Sequence, residues 1–196
     1  MERVSYDFIT PSAARGLLES IFWHPGLKWH IDKIHVCAPI QFTNIRRNEV
    51  SAKISARNVQ AAMKTGAPLY LATPDCIQQR ATMALQNVRY IIEAHFSMTD
   101  QASPGDNPGK FQDIIKRRLN RGQFYSMPYF GVREFPAFFA PVTEMPPCPE
   151  VLKGERDYGY MLYDMDYSDA ENIRPQFFRA VMRDGVVDLT DVEVKK

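Results

Sequence analysis

Apolar residues along the chain recur at two spacings, one near four and one of two, and the spacing changes where Gly and Pro cluster. Ala14, Leu17, Leu18, Ile21 and Phe22 make a helical stripe, with Thr10 as its cap, Pro11 in its first turn and His24-Pro25-Gly26 as its stop. Residues 27–38 alternate through Trp29, Ile31, Ile34 and Val36, which predicts a strand with an irregularity at Asp32-Lys33. A second strand is expected at 40–45. Residues 44–58 are polar and weakly periodic, a hairpin or a surface loop, and 56–64 suit a short helix. Residues 66–75 are a connection. The stretch 79–98 reads as two strands or one long bent one, and 99–109 as a loop.

The next segment organises the rest. Phe111, Ile115 and Leu119, with Ile114 beside them, predict a helix that Asn107 caps, Pro108 opens and Gly122 ends. Residues 130–142 read as a strand, partly an edge because Pro136 interrupts it. Residues 141–149 form a proline-rich connector, 158–167 a strand, and 177–189 a hairpin turning at Asp184-Gly185. The order suggests a split β-α-β arrangement: an α+β, ferredoxin-like (RRM-like) domain with a mainly antiparallel sheet over 1–142, then a C-terminal β extension over 143–196. Only residues 2–9 are available for the strand that should open such a unit.

The 196 residues, 45% hydrophobic, suit one domain or one domain with an appendage. There is no apolar run long enough to span a bilayer and no signal-peptide core, so a cytoplasmic protein is expected. Cys37, Cys76 and Cys148 lack C-x-x-C spacing, which argues against a disulfide scaffold or a zinc finger. No metal site is expected. Asp164 and Asp166 fit a solvated acidic strand face better than a ligand pair, and His30 and His35 have no acidic or ligand spacing around them. His95 faces opposite to Ala94 and Phe96, as a satisfied sheet residue or towards a ligand.

The net charge of +1 hides a segregation. Arg46, Arg47, Lys53, Arg57 and Lys64 face Glu49 alone over 43–64, whereas 144–171 is mostly acidic. Five of the six charges on the central helix are basic. Lys110, Arg117 and Arg121 fall along one edge of it, a row of roughly 16 Å that can follow successive phosphates. Lys116 and Arg118 add charge, and Arg118 falls almost on the apolar face, where a cation is costly without an anionic partner. Phe124, Tyr125, Tyr129 and Phe130 follow, and rings beside cations can stack unpaired bases. The plainer alternative is an amphipathic helix with a solvated basic side, followed by a core strand.

The stretch SYDFITPSAARGLLESIFWHPGLKWHIDKIHVCAPIQFTNIRRNEVSAKISARNVQ, with AHF at 94–96, NPGKFQDIIKRRLNRGQ, PYFGVREF and FFRAVMRDGVV, resembles the CRISPR-associated Cas-five family of subtype I-C over nearly the whole chain. The resemblance implies an RNA-recognition (RAMP) fold and an endoribonuclease without metal or cofactor. Such an enzyme cuts CRISPR repeat RNA below its hairpin. It then stays on the 5′ handle beside backbone and large subunits of an interference complex, with DNA a further partner the resemblance allows. Family members begin with an extra strand that this chain lacks. Their proposed cleavage residues, a Tyr ending the first helix and a Lys-His pair opening the central one, match Phe22, Lys110 and Phe111 here. Only the lysine persists, and phenylalanine can transfer no proton. His24 and Tyr125 are the expected substitutes, and Arg46, Arg47, Lys53, Arg57, Lys116, Arg117, Arg118, Arg121 and Tyr129 the expected RNA contacts. The alternatives are a non-catalytic subunit that binds the guide handle, and a general RNA-binding module.

Overall fold

The computed structural model describes residues 3–195. In chain order the elements are β1 (Arg3–Val4), α1 (Pro11–Ile21), β2 (Leu27–Val36), β3 (Phe42–Val50), α2 (Ala56–Thr65), β4 (Ile77–Leu85), β5 (Tyr90–Met98), α3 (Pro108–Arg121), β6 (Glu155–Asp166), β7 (Arg174–Arg183), β8 (Val186–Asp188) and β9 (Val194–Lys195). This is a mixed α+β chain whose sheets are almost wholly antiparallel. Among the described residues no helix is long and apolar enough to cross a membrane.

The contacts divide the chain into two units, one holding β1 with Gln41–Gln86, the other holding Tyr6–Ile40 with the remainder. In the first, β3 and β4 pair in unbroken antiparallel register from Phe42↔Leu85 to Val50↔Ile77, and β1 lies parallel to β4. Arg3 donates to Glu49 at 2.6 Å, and Arg80 lies 3.6 Å from the same carboxylate. Ser55 caps α2 and Gly66, in the left-handed region at φ +68°, ends it. Residues 44–50, left open between hairpin and loop, are strand because β4 supplies hydrogen-bond partners along their whole length. No residue of 41–86 is fully buried.

The second unit carries a six-stranded sheet of order β5-β2-β8-β7-β6, with β9 on β7. Leu27, Trp29, Ile31, Ile34 and Val36 of β2 all turn inward, and the register with β5 slips between Ile31 and Lys33, so Asp32 is the extra residue of a bulge. That slip explains how residues 31 and 34, an odd step apart, reach one core. The main core gathers Phe8, Ile34, Met161, Phe178, Met182 and Val187. A second cluster of Phe22, Leu27, Trp29 and Phe111 joins α3 to the end of α1 and the start of β2.

Three expectations need correction. Residues 130–142 form no strand: Tyr129 and Pro136 make one isolated bridge, and Phe138 is 89% exposed. Pro136 lacks the N–H a ladder needs, and Gly131 at φ +72° turns the chain back. The short strand inside residues 2–9 joins β4 in the small sheet, not the sheet of β2 and β5. Position 142 falls inside the second unit, because β6–β9 share a sheet with β2 and β5. Residues 1, 2 and 196, within those expected limits, lie outside the described residues. The hairpin at Asp184-Gly185 forms as expected, with φ of +47° and +77° at its two turn residues.

Phe111→Ala should cost about 3–5 kcal/mol, the usual loss for a fully buried ring. Urea unfolding should show this as a lower midpoint with the slope unchanged.

Candidate nucleic-acid interface

α3 starts where Asn107 Oδ1 accepts from the Lys110 N–H at 2.9 Å, and stops at Gly122, φ +61°, whose N–H reaches the Arg118 carbonyl. Phe111 is fully buried, its ring 5.7 Å from Phe22 and 4.9 Å from the His24 imidazole. With that face fixed inward, Lys110, Arg117 and Arg121 stand exposed within about 20° of a common direction. Arg117 and Arg121 have no hydrogen bond or ion pair among the described residues. Lys116 is exposed too, about 120° round the helix from Lys110.

Arg118 has a different surrounding from the one expected. It is half-buried, its guanidinium lies 5.2 Å over the Phe22 ring, and it donates to the carbonyl oxygen of Ile21. That oxygen is one of the unpaired acceptors at the C-terminus of α1, where a cation is favoured. The partner that offsets the cost of Arg118 on the apolar face is therefore a helix end.

Beside the first turn of α3 three side chains converge. Lys110 Nζ donates to Asp106 Oδ1 at 2.7 Å, and His24 Nε2 lies 3.6 Å from Asp106 Oδ2. Ser103 N–H also donates to that carboxylate, whose side chain is 2% exposed. The Lys110 hydrogen bond, then the Ser103 N–H, hold the Asp106 carboxyl below its ordinary range. The Gly26 N–H donates to His24 Nδ1 at 3.0 Å, which leaves the imidazole proton on Nε2, towards Asp106. A side chain at Gly26 would meet the Ala102 backbone at 2.7 Å, so this turn and the 99–106 loop fit only around a glycine. The constellation holds a cation and a donor, with no free base.

The two positions at which the resemblance implies a tyrosine and a histidine carry no proton chemistry here. Phe22 is buried and lends its carbonyl to Trp29 Nε1 at 3.0 Å, and Phe111 is core. Tyr125 is 77% exposed beyond the far end of α3, its N–H on the Ser20 carbonyl, and Tyr129 is partly exposed at the bridge with Pro136. Arg46, Arg47, Lys53 and Arg57 belong to the first unit, where successive residues of β3 point to opposite faces, so Arg46 and Arg47 do not act together.

The outer face of β2 and β5 holds what sequence reasoning missed. His30 and His95 are register partners, and their rings stack at 4.9 Å with planes 12° apart. His95 Nδ1 donates to Asp32 at 2.8 Å, His30 Nε2 shares a hydrogen bond with Ser97 Oγ at 2.8 Å, and His35 Nε2 lies 2.6 Å from Glu93. His30 and His35, which have no acidic or ligand spacing around them in the sequence, find Ser97 and Glu93 across the ladder. The cue in sequence is a pair of alternating strands that each carry histidine at outward positions. Burial first, then the charges of His95 and Lys28, lower the His30 pKa. Lys28 and His30 border a cleft of about 300 Å³ with Ser12, Arg15, Tyr163 and Asp164. The Asp164 carboxylate is spent on Arg15. Among the described residues no three His, Cys, Asp or Glu side chains are placed to hold a metal.

The family model described as CRISPR-associated protein (Cas_Cas5) matches residues 1–190. A protein of Mannheimia succiniciproducens named CRISPR pre-crRNA endoribonuclease Cas5d is 47% identical over 96% of this chain and 86% of its own. One of Thermus thermophilus with the same name is 37% identical over 85% of this chain and 66% of its own. Two solved structures share the fold at 18% identity. One is a functionally uncharacterized protein from Streptococcus mutans, with a TM-score of 0.68 over 98% of this chain and 87% of its own. The other is titled a CRISPR-associated protein, with a TM-score of 0.67 over 99% of this chain and 88% of its own. A whole-chain family match and an identity of 47% over nearly the full length leave one conclusion: the chain belongs to the Cas5 family of CRISPR-associated proteins.

Proposed function

We propose that this chain is an endoribonuclease that cuts precursor CRISPR RNA within its repeat and keeps the 5′ handle of the product inside a Cascade-type interference complex. The names of its Mannheimia and Thermus relatives support the RNA and the reaction. The observation that carries the grip is the exposed row Lys110, Arg117 and Arg121 on a helix whose other side is locked by Phe111. Phosphate contacts of this kind position a strand without reading its sequence. Lys110 joins the row once a phosphate takes the place of the Asp106 carboxylate, and the His24 Nε2–H points to the same spot. Tyr125 and Tyr129, exposed past the end of α3, supply faces on which unpaired bases stack. Three free thiols suit the reducing cytoplasm as the place of action.

Cleavage in this reading uses the 2′-hydroxyl of the RNA and protein side chains alone. A second reading is a subunit that binds the handle without cutting, and the burial of Phe22 and Phe111 at the family's site favours it. Incubation with cognate repeat RNA in EDTA separates the two. The enzyme leaves a 2′,3′-cyclic phosphate, whereas tight binding with intact RNA would establish the second.

For the grip, Arg117→Ala and Arg121→Ala should each weaken RNA binding and flatten the salt dependence of log K by about one unit of slope. Filter binding from low to moderate salt measures this, and unchanged slopes would remove the row from the interface. Arg118→Ala should leave the slope unchanged and lower the thermal midpoint, since its guanidinium serves the end of α1.

A further inference from the structure

We propose that the proton transfers of RNA cleavage take place on the outer face of the β2–β5 ladder, with His30 as general base, His95 as general acid oriented by Asp32, and Lys28 beside the scissile phosphate. The proposal rests on the endoribonuclease reading and supplies what the start of α3 lacks, a pair of groups able to take and give protons.

Cleavage through the 2′-hydroxyl needs a base at the 2′-oxygen, an acid at the 5′-oxygen and a cation for the charge that builds on phosphorus. The two imidazoles are side by side and held from opposite ends. With His30 Nε2–H donating to Ser97 Oγ, Nδ1 keeps a free lone pair. With His95 Nδ1–H on the Asp32 carboxylate, Nε2 is left to carry a transferable proton outward, and the His95 side chain is 62% exposed. Burial and the adjoining charges keep His30 neutral at a pH where an ordinary histidine begins to protonate. Lys28 is exposed on the same strand, two residues from His30, and has no ion-pair partner among the described residues. The cleft bordered by Lys28 and His30 offers Tyr163 and Arg15 as further walls for a nucleotide.

The step balances. The 2′-O–H bond breaks and its proton goes to His30 Nδ1. The 2′-oxygen bonds to phosphorus, the P–O5′ bond breaks, and the leaving 5′-oxygen takes a proton from His95 Nε2. The products are a 2′,3′-cyclic phosphate and a 5′-hydroxyl, and solvent returns each imidazole to its starting state. The histidine pair and α3 lie on opposite faces of one ladder, so the transcript crosses the outer edge of β5, the terminal strand of its sheet. The handle runs on from the cut to the cationic row.

Single-turnover cleavage of repeat RNA and RNA affinity are measured on the same samples of the full chain. His30→Ala and His95→Ala should each slow cleavage by about 10²–10⁴-fold, the usual worth of a positioned acid or base, with affinity nearly unchanged. Asp32→Asn should slow it less. The rate of the unaltered protein should fall at acid pH as His30 takes up a proton, and His30→Ala should lose that acid limb. Lys28 and Asp32 on β2 and Arg15 from α1 act on His30, Asp164 and Asp166 of β6 line the cleft beside it, and Glu93 of β5 bonds His35 on the same face, so the same profile in Glu93→Gln checks that the limb belongs to His30 and not to the His35–Glu93 pair. Added imidazole should restore part of the rate of His95→Ala, a rescue that a merely structural loss would not show. If His95→Ala cuts at the unaltered rate, or loses cleavage only in step with affinity, the assignment is overturned. If the unaltered protein binds repeat RNA and leaves it whole, the endoribonuclease reading fails and the assignment with it.

Discussion

The packing of Phe111 against Phe22, Phe96 and the His24 ring decides how α3 sits, and so which of its charges water can reach. A buried phenylalanine is worth roughly 1.5–3 kcal/mol in transfer from water, more than any single exposed charge on the helix contributes. The apolar stripe therefore wins the orientation and the cations take the direction left to them. Lys110, Arg117 and Arg121 are outward because Phe111 is inward. The same ring occupies the position at which the resemblance places a histidine. Packing and proton transfer compete for one site on one helix, and in this chain packing holds it.

The acidic half of the sequence has a related explanation. Residues 144–171 read as a separate negative face, yet much of that charge is spent locally. Asp157 pairs with Arg179, Glu155 with Arg183 across the β6–β7 ladder, and Asp164 with Arg15 of α1. Exposed pairs like the first two add little stability, typically up to ~1 kcal/mol each. Their effect is to cancel charge, which leaves Arg117 and Arg121 as cations with no counter-charge of their own. A net charge of +1 thus says little about the field at α3.

Helices were legible in the sequence because the information that makes them is local. Thr10 and Asn107 cap within three residues, the stripes repeat within a turn, and Gly66 and Gly122 end helices by their own backbone freedom. Strands that depend on a distant partner were less so. Residues 130–142 have the composition of a strand and no ladder to join. Residues 44–50 have the composition of a loop and do join one. Arg118 was readable as a cation out of place, but its acceptor, the Ile21 carbonyl, lies 97 residues away in sequence. The histidine pair was hidden for the same reason: His30 and His95 meet only through a register that spacing within one strand does not contain.

That register turns on Asp32. A strand alternates its faces strictly, so a regular β2 that buries Ile31 would expose Ile34 and turn His35 into the core. One extra residue at the bulge shifts the phase, which lets Ile34 and Val36 stay buried while Lys28, His30 and His35 all remain on the outer face. The residue that makes the shift also puts its carboxylate on His95 of the neighbouring strand. A bulge is thereby both the device that reconciles two halves of an apolar pattern and the source of the acidic partner, and shortening β2 by that residue would disturb the core and the imidazole pair together. The irregularity visible at Asp32-Lys33 in the bare sequence is where the requirements of folding and of chemistry meet on this strand.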